Sequence, residues 1–445
     1  MRYLAGKAED IRNRRGSSSV MLAMAFVAFA ICIAMTIGVA RKMVIGSQAE
    51  TFGTIWTKAI LSEYDRHLLD DYGIMAYFGS DAEVADKIDA YLEYSAAGRL
   101  DAHYKETSAE LTGYELGDPD NFRKAMRQSF AGNAIESVIG GAARHRRAEP
   151  TEVDGSAGEL NDAIIGNPVV LDTLPSTGAS GSISNDGLIE KAKELKNSDG
   201  IKSAFAGTGL DAAFIWRFFG NNVTTPDNAK SYLRNEWEYI IKGSPSDKEN
   251  LSSCRKRLFV IRNALNLAAL YNDPEKIQLI AAAAELITPG PLGVATQLLI
   301  AEAWAAIETE SDISDLYGNE RVPVLKTPAQ WKTGLDMVLS SDKVRSKLDD
   351  ESKAHLDENI GEITNLGGAG NAAAVIREGL NYDEYLMLMI MAVREDVRVL
   401  RIMDLVQINM KYRYYRDFNL MEYYTGVRYT IRAEGRDHSF EDCYG

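Results

Sequence analysis

The strongest hydrophobic pattern in the chain is an uncharged run near its N-terminus. Residues 20–40 read VMLAMAFVAFAICIAMTIGVA, which is 21 residues without a charge. A helix of that length rises about 31 Å, close to the roughly 30 Å hydrocarbon core of a bilayer. The basic residues Arg41 and Lys42 close the run. This pattern predicts one transmembrane helix.

The apolar pattern continues beyond this run at helical spacing. Large apolar residues recur at every fourth position, which places them on one helix face: Phe52, Trp56, Ile60, Tyr64 and Leu68. We predict a single helix over 17–70, with a transmembrane part and an exposed stalk, ended by Asp70, Asp71 and Gly73. Two interpretations of the stripe stay open: it packs on the protein's own globular domain, or on neighbouring copies or a partner helix.

Beyond the stalk, short strand patterns alternate with longer helical ones. Alternation of apolar and polar residues predicts strands at 74–78, 108–116 and 426–433. Apolar residues at helical spacing predict helices over these ranges: 81–97, 121–146, 189–311, 331–349 and 381–413. The fold class is therefore α+β and mostly helical. A long N-terminal transmembrane and stalk helix precedes an extracytoplasmic domain that has a small antiparallel sheet.

Composition divides the chain into five segments. We predict a basic leader, a transmembrane and stalk helix, an α/β segment packed on the stalk, a linker or long loop, and a mainly helical domain ending in a strand. Their respective ranges are 1–16, 17–70, 71–148, 149–188 and 189–445. The fourth segment is rich in Gly, Ser, Asn, Asp, Thr and Pro, which favour turns, and 312–330 predicts a second loop. Because buried backbone groups must pair, we expect the strand 426–433 to pair near the stalk.

Charge is distributed unevenly along the chain. Residues 1–42 contain seven basic and two acidic residues, whereas residues 43–445 contain 42 basic and 62 acidic residues. An acidic body of this kind binds phosphate backbones poorly, so nucleic acid is not an expected partner. Five basic residues precede the apolar run and two follow it directly. The positive-inside rule therefore predicts a plasma-membrane protein that contacts lipid, with its N-terminus cytoplasmic and its C-terminal domain outside.

Three interpretations of the N-terminus remain open. A cleaved signal peptide usually has an apolar region of about 7–15 residues, shorter than this one, although Gly38 to Ala40 offers a small-x-small site. An uncut signal anchor fits the length. A pilin-type leader fits the basic residues ahead of the run, with cleavage between Gly16 and Ser17. Pilin-like proteins commonly carry Glu at the fifth mature position, where this chain has Met21.

Residues with candidate chemistry are sparse. Cys254 and Cys443 lie in the predicted external part and form a candidate disulfide if the compartment is oxidising. They lack metal-ligand spacing, and the sequence has no G-x-S-x-G elbow and no G-x-x-x-x-G-K-[ST] phosphate loop. We therefore predict no catalytic, cofactor-binding or metal site and no small-molecule substrate. An enzyme ranks third among the function classes.

Three local features have plain structural interpretations. Residues 368–373 match a dinucleotide fingerprint but lack a preceding strand, so they predict a glycine turn. Residues 174–178 spell the sortase sorting pentapeptide LPSTG, but 267 residues follow without a membrane run, so they predict a turn in the linker. The acidic residues Asp312, Asp315 and Glu320 lack EF-hand spacing and predict a solvated surface.

Several longer stretches resemble a known family. They are the N-terminus from Gly16 to Ala40 and the segments Leu61–Gly79, Asn235–Leu251, Arg257–Lys276 and Asn381–Met410. These stretches resemble an uncharacterised family of single-pass envelope proteins from Gram-positive bacteria. Genes of that family often accompany those of tight-adherence (Tad, or Flp) pili. The N-terminus is similar to that of the TadE and TadG type of pseudopilin.

The resemblance implies a location and a context rather than a reaction. It implies a non-enzymatic, membrane-anchored pseudopilin-like or accessory subunit of a tight-adherence pilus and secretion apparatus. Its expected partners are other pilin-like or pilus assembly subunits. Met21, in place of the usual Glu, separates the chain from major pilins. The alternative is a signal-anchored cell-surface or wall-binding module unrelated to pili.

Overall fold

The structure, a computed structural model, describes most of the chain as two compact units. The described residues are 2–96, 104–130, 144–147, 174–181, 183–195, 197–227, 231–365, 378–433 and 435–444, with the backbone alone at 2–17, 96, 104–106 and 364. We call the first the sheet unit: Met1–Asp65, Met75–Leu116 and Met421–Gly445. We call the second the helical unit: Arg66–Ile74 and Gly117–Leu420.

In its described residues, the sheet unit combines two α-helices with two small antiparallel sheets. Its helices are α1 (Arg2–Leu61) and α3 (Asp81–Ala96). Its strands are β1 (Tyr77–Phe78), β2 (Tyr104–Glu110), β5 (Tyr423–Tyr424), β6 (Gly426–Ala433) and β7 (Arg436–Cys443). In the larger sheet β6 lies between β2 and β7, and in the smaller one β1 pairs with β5. The predicted strand at 426–433 is thus confirmed. It pairs with β2, a strand that comes much earlier in the sequence.

One face of α1 packs on the larger sheet. Its buried residues recur at helical spacing: Ile45, Ala49, Trp56 and Ile60. They share one apolar core with the inward-facing residues of β6: Val427, Tyr429, Ile431 and Ala433. The Tyr429 hydroxyl donates a hydrogen bond to the Gly53 carbonyl, and Thr57 Oγ1 donates to the same carbonyl at 2.8 Å. Of the two open interpretations, the structure supports packing of the stripe on the protein's own domain.

The close approach of α1 to β7 depends on one glycine. A Cβ atom at Gly53 would overlap the Phe440 ring, whereas a Cβ at Gly46 would lie 3.8 Å from His438 Cε1. Overpacking makes us expect Gly53→Ala to lower the unfolding free energy of the sheet unit by about 1–3 kcal/mol. Gly46→Ala is the matched control and should raise it by roughly 0.5–1 kcal/mol, because alanine favours the helix. Hydrogen exchange of β6 amides measures both, and effects of equal sign would contradict the packing.

The predicted helix over 17–70 is too long at its C-terminal end. In the structure α1 ends at Leu61, and a turn over 62–65 precedes the separate helix α2 (Arg66–Tyr72). The Asp65 amide donates to the Ala76 carbonyl at 2.9 Å instead of continuing the helical ladder. The helical spacing of Leu68 misled the sequence argument, because Leu68 is buried in the helical unit as part of α2.

The helical unit contains most of the remaining elements. Its helices, besides α2, are α4 (Pro119–Gln128), α5 (Asn185–Leu195), α6 (Ser198–Ala206), α7 (Leu210–Phe218), α8 (Glu236–Lys242), α9 (Asp247–Tyr271), α10 (Pro274–Ile287), α11 (Gly293–Tyr317), α12 (Leu335–Ser340), α13 (Asp342–Arg345), α14 (Asp350–Asn365), α15 (Tyr382–Ala392) and α16 (Glu395–Arg413). Its strands β3 (Arg144–Arg146) and β4 (Thr224–Pro226) form an antiparallel pair. An apolar core lies between α9, α10, α11 and α14, where the rings of Trp304 and Trp331 meet edge to face at 5.8 Å.

In this unit, the bounds of several helices and loops differ from those predicted from the sequence. The helix predicted over 121–146 ends at Gln128, and 144–146 form β3, with 131–143 outside the described residues. Within the predicted loop 312–330, α11 continues to Tyr317. The predicted linker 149–188 lies largely outside the described residues, and α5 already begins at Asn185.

The helix predicted over 381–413 is two helices, α15 and α16. The chain leaves helical geometry at Val393 and Arg394. Arg398 explains the break, because its Nη1 donates to the Val393 carbonyl at 3.1 Å and its Nη2 lies 3.0 Å from Asp211 Oδ2. A buried guanidinium therefore satisfies the end of α15, and periodicity alone did not reveal this.

Candidate functional site

The most prominent candidate site is the N-terminal part of α1. All residues from 18 to 44 are exposed, and they include large apolar side chains such as Phe26 at 76% and Phe29 at 66%. Within the described part of the chain, Ser18–Leu61 is the one helix long and apolar enough to cross a membrane. Such a helix is compatible with a single-pass membrane anchor and with a signal sequence.

The candidate cleavage position lies inside this helix. Gly16 and Ser17 fall within α1, where the backbone alone is described. Met21, four residues after Ser17 in the sequence, is 75% exposed. Cleavage between Gly16 and Ser17 stays a prediction.

The two cysteines of the candidate disulfide are free thiols in the structure. Cys254 is buried in α9, and burial raises the pKa of its thiol well above the ordinary value. Cys443 is exposed at the end of β7. No bond joins them here, and the covered Cys254 packs as a small apolar residue.

A fully buried ion network joins α9, α11 and the segment after α11. The side chains of Arg262, Asp312, Lys326 and Glu308 are all 0% exposed. Arg262 donates to Asp312 Oδ2 from Nη2 at 2.8 Å and from Nε at 3.0 Å. Lys326 pairs with both carboxylates. Burial alone lowers the pKa of Arg262, but the Asp312 charge outweighs it and raises that pKa above its usual value.

The prediction of a solvated acidic surface is therefore wrong for Asp312, and Asp315 is bound by Lys332 at 2.7 Å. The sequence did carry a signal for this network. Trp304, Glu308 and Asp312 recur at every fourth position, which places both carboxylates on the apolar face of α11. A charge on an apolar helix face needs a buried partner of opposite charge. Arg262 and Lys326 are among the cations of the sequence, but no sequence pattern identifies them as these partners.

A second buried polar network surrounds Arg144 of β3. The Arg144 guanidinium lies over the rings of Trp237 and Trp216, at 4.4 and 5.1 Å from their centres. It also lies 3.6 Å from Asp383 Oδ2 and donates to the Phe219 carbonyl at 2.9 Å. These contacts join β3 to α7, α8 and α15, so one arginine links elements that are far apart in the sequence.

Two glutamates of α8 extend the second network. Glu236 accepts hydrogen bonds from the Gly220 amide at 2.7 Å and from Asn409 Nδ2 at 2.8 Å. Glu238 accepts from the Tyr382 hydroxyl at 2.7 Å and from the Asn222 amide at 3.1 Å. Burial raises the pKa of each carboxyl from 4.5 to about 7. Both groups therefore exchange protons near neutral pH.

These raised pKa values predict how stability varies with pH. Between pH 4.5 and 7 the folded carboxyls keep protons that the unfolded chain has released, so the unfolding free energy falls as the pH rises. We expect a fall of up to about 3 kcal/mol per group between pH 5 and 8. Glu238→Gln stays neutral and should flatten the profile, whereas Glu302→Gln, on an exposed position of α11, should not. Urea unfolding at a series of pH values measures the slope, and identical slopes in wild type and Glu238→Gln would refute the assignment.

A small cavity of the helical unit reaches Glu236. Its volume is about 220 Å³, and its walls carry four carboxyl groups and two guanidinium groups: Asp70, Asp71, Asp227, Glu236, Arg217 and Arg413. Arg413 binds Asp71 in an ion pair, which neutralises part of the acidic lining. No group of three or more potential metal ligands occurs among the described residues.

Two sequence motifs remain, the LPSTG pentapeptide and the dinucleotide-like stretch. Residues 175–178 form a turn, as predicted for LPSTG, and the Ser176 amide donates to Asp404 Oδ1 at 2.9 Å. The dinucleotide-like stretch 368–373 lies outside the described residues. Neither motif adds a reactive group to the site.

The described units define an α+β protein, mostly helical, with a long apolar N-terminal helix. The chain belongs to DUF5702, a family of unknown function, whose model matches residues 161–435. The match covers most of the helical unit together with β5 and β6, and it begins beyond α1. No curated protein and no solved structure matches the chain.

Proposed function

We propose that this protein is a non-enzymatic, membrane-anchored subunit of a tight-adherence pilus and secretion apparatus, either pseudopilin-like or accessory. One observation supports this function best. A single helix, α1, is exposed over 18–44 and uncharged over 20–40, and from Ile45 to Leu61 one of its faces packs on an antiparallel sheet. The exposed part therefore continues rigidly into a folded head.

The exposed half of α1 needs an apolar environment. Burying apolar surface yields about 25 cal/mol per Å², so 21 exposed uncharged residues strongly favour lipid or neighbouring helices over water. Transfer of the helix from lipid into a filament exchanges lipid contacts for helix contacts, and its net energy depends on packing and on polar pairing. This exchange is the step by which pilin-like subunits leave a membrane.

Met21 favours an accessory or initiating role over a repeating one. The usual carboxylate at this position pairs with the new N-terminal amine of a neighbouring subunit, and a thioether accepts hydrogen bonds only weakly. A subunit without that pair enters a filament rarely or remains in the membrane at its base. The basic residues before the apolar run favour an outward-facing C-terminal domain.

A deletion strain examined by electron microscopy and adhesion counts tests this role. We expect loss of pili in the deletion strain, and immunogold label against the helical unit confined to the cell surface at pilus bases in the parent. Met21→Glu provides a matched variant, which should move label into the filaments if the missing carboxylate limits incorporation.

Two outcomes would overturn the proposal. Normal pili and normal adhesion without the gene would favour a signal-anchored surface or wall-binding module. Label spaced evenly along wild-type filaments would contradict the accessory role. Protease added to intact wall-stripped cells checks the orientation separately, because full protection of the C-terminal domain would place it inside the cell.

A further inference from the structure

A second cavity of the helical unit lies between α9, α11 and the segment that begins with α13. Its volume is about 330 Å³, which falls within the roughly 300–1,000 Å³ typical of small-molecule pockets. The cavity beside Glu236 is smaller, at about 220 Å³. The described residues that line the larger cavity are Asn263, Leu267, Glu302, Ala303, Ala306, Lys343 and Lys347. We call it the α9–α11 cavity.

Small side chains on α11 create this space and give it an apolar floor. Ala303 is 5% exposed and belongs to the apolar core of the unit, and Leu267 of α9 packs against that core. Ala306 lies about one turn farther along α11 and also lines the cavity. Because alanine ends at its Cβ atom, the two helices leave room that a larger side chain would fill. The floor therefore favours an apolar group of a ligand over water.

Charges of both signs surround the apolar floor. Lys343 belongs to α13, Lys347 follows it by about one turn, and Glu302 belongs to α11; all three side chains are exposed. Within the described part of the chain, none of these three groups forms an ion pair. A ligand that carries both a carboxylate and an ammonium group matches them, whereas a simple anion would leave Glu302 uncompensated.

An amide on α9 adds a hydrogen-bond acceptor that lacks a donor. Asn263 Oδ1 is covered and has no hydrogen-bond partner among the described residues. A covered acceptor without a donor costs free energy, and such atoms are rare in folded proteins. Asn263 lines the cavity, and rotation of its amide presents the oxygen to the interior. An ammonium group bound there would donate to this oxygen and also meet the Glu302 carboxylate.

We propose that the α9–α11 cavity binds a small zwitterion with an apolar side chain, namely an apolar α-amino acid or its dipeptide. The carboxylate of this ligand pairs with Lys343 and Lys347, and its ammonium group pairs with Glu302 and Asn263. Its side chain covers the alanine floor. The inference concerns binding and no reaction, and it goes beyond the proposed function because it does not depend on the membrane helix.

Calorimetric titration of the full-length protein in lipid nanodiscs tests the cavity, with empty nanodiscs as the blank. The probes are L-leucine and L-leucyl-L-leucine, and at least one should bind saturably with a Kd below about 1 mM. N-acetylleucine lacks the ammonium group, and leucinamide lacks the carboxylate. Each should bind at least about tenfold more weakly than leucine, because each loses charge-assisted hydrogen bonds.

Matched variants assign the binding to this cavity. Lys343→Gln/Lys347→Gln and Glu302→Gln should each weaken binding of the probe by about tenfold or more. Ala306→Leu changes no charge and should abolish binding, because it fills the floor. Lys256→Gln makes the same change at an exposed lysine of α9, roughly two turns before Asn263, and should keep the affinity. Unchanged hydrogen exchange in α9 and α11 shows that each variant folds.

Three outcomes would overturn the inference. Neither probe may bind saturably up to about 10 mM, which would leave the cavity to water. N-acetylleucine may bind as tightly as leucine, which would show that no ammonium group is recognised. Lys256→Gln may weaken binding as much as the double lysine variant, which would show a general charge effect. None of these outcomes bears on the proposed membrane anchor.

Discussion

Arg262→Ala should lower the free energy of unfolding of the helical unit by about 3–5 kcal/mol. The substitution removes a guanidinium that is fully buried between α9 and α11 and leaves Asp312 with Lys326 as its one remaining cation, which Glu308 already shares. An uncompensated charge in a core costs that much because it can no longer be solvated. Most natural domains have a total stability of only about 5–15 kcal/mol, so the unit would be close to unfolding.

The chain provides a matched control on the same two helices. Arg255 of α9 pairs with Glu310 of α11 at 2.7 Å, but their side chains are 27% and 41% exposed. We expect Arg255→Ala to cost at most about 1 kcal/mol, because water screens the pair and replaces it. Urea unfolding followed by hydrogen exchange in α9 and α11 compares the two variants, and similar losses would contradict the role of burial.

A double variant separates the charge from the packing. Replacing Arg262 by Met and Asp312 by Leu removes one charge of each sign and leaves Lys326 with Glu308. Buried ion pairs exchanged for apolar residues of similar volume often cost little. Arg262→Met/Asp312→Leu should therefore be more stable than Arg262→Ala. A larger loss in the double variant would indicate that the contacts of Asp312 with Lys326 and Asn266 outweigh the cost of its unbalanced charge.

The elements that the sequence predicted well are those in which one physical signal acts alone. The apolar run 20–40 lies within α1, and the strict alternation from Gly426 to Ala433 predicts β6 with the same bounds as in the structure. β7 was missed, because its residues RDHSFEDC are nearly all exposed and carry no apolar alternation. Such a strand forms because β6 offers a ladder of hydrogen-bonding groups, and this partner is a tertiary feature.

The polar networks were missed for a related reason. A buried charge looks in the sequence like a surface charge, and only its partner distinguishes the two. Asp312 and Arg262 are 50 residues apart, and Arg144 and Asp383 are still more distant along the chain. Helical spacing placed Asp312 on an apolar face, but no local pattern states which cation meets it there.

The exposed half of α1 is a different case, because its length and composition suffice. No tertiary contact is needed to predict that 21 uncharged residues form a helix suited to a membrane. The structure adds that burial on this helix begins at Ile45, and it shows which strands pack against the helix beyond that residue. The approach of β7 to α1 at Gly46 and Gly53 is a tertiary feature and could not be derived from the sequence.

Deleting residues 424–445 should abolish the fold of the sheet unit. The deletion removes β6 and β7 entirely, and with them the core residues Val427, Tyr429 and Ile431, each at most 1% exposed. The buried face of α1 and the remaining strand β2 would lose their common partner, and an unpaired β2 has no ladder left among the described strands of this sheet. We expect a loss of more than about 5 kcal/mol, the full stability of a small unit.

A matched pair of point variants shows whether packing or backbone pairing carries this effect. Tyr429→Ala removes a ring that is 1% exposed and the hydroxyl that binds the Gly53 carbonyl, so it should cost about 3–5 kcal/mol. Thr430→Ala changes the next residue, whose hydroxyl meets that of Ser439 on the exposed side of the sheet, and should cost less than about 1 kcal/mol.

Limited proteolysis of the full-length protein in micelles, read by mass spectrometry at 75–116, measures all three variants. Unchanged protection of 75–116 in the deletion variant would show that α1 and α3 fold with β2 without the C-terminal hairpin, and the sheet unit would then need a different core from the one described.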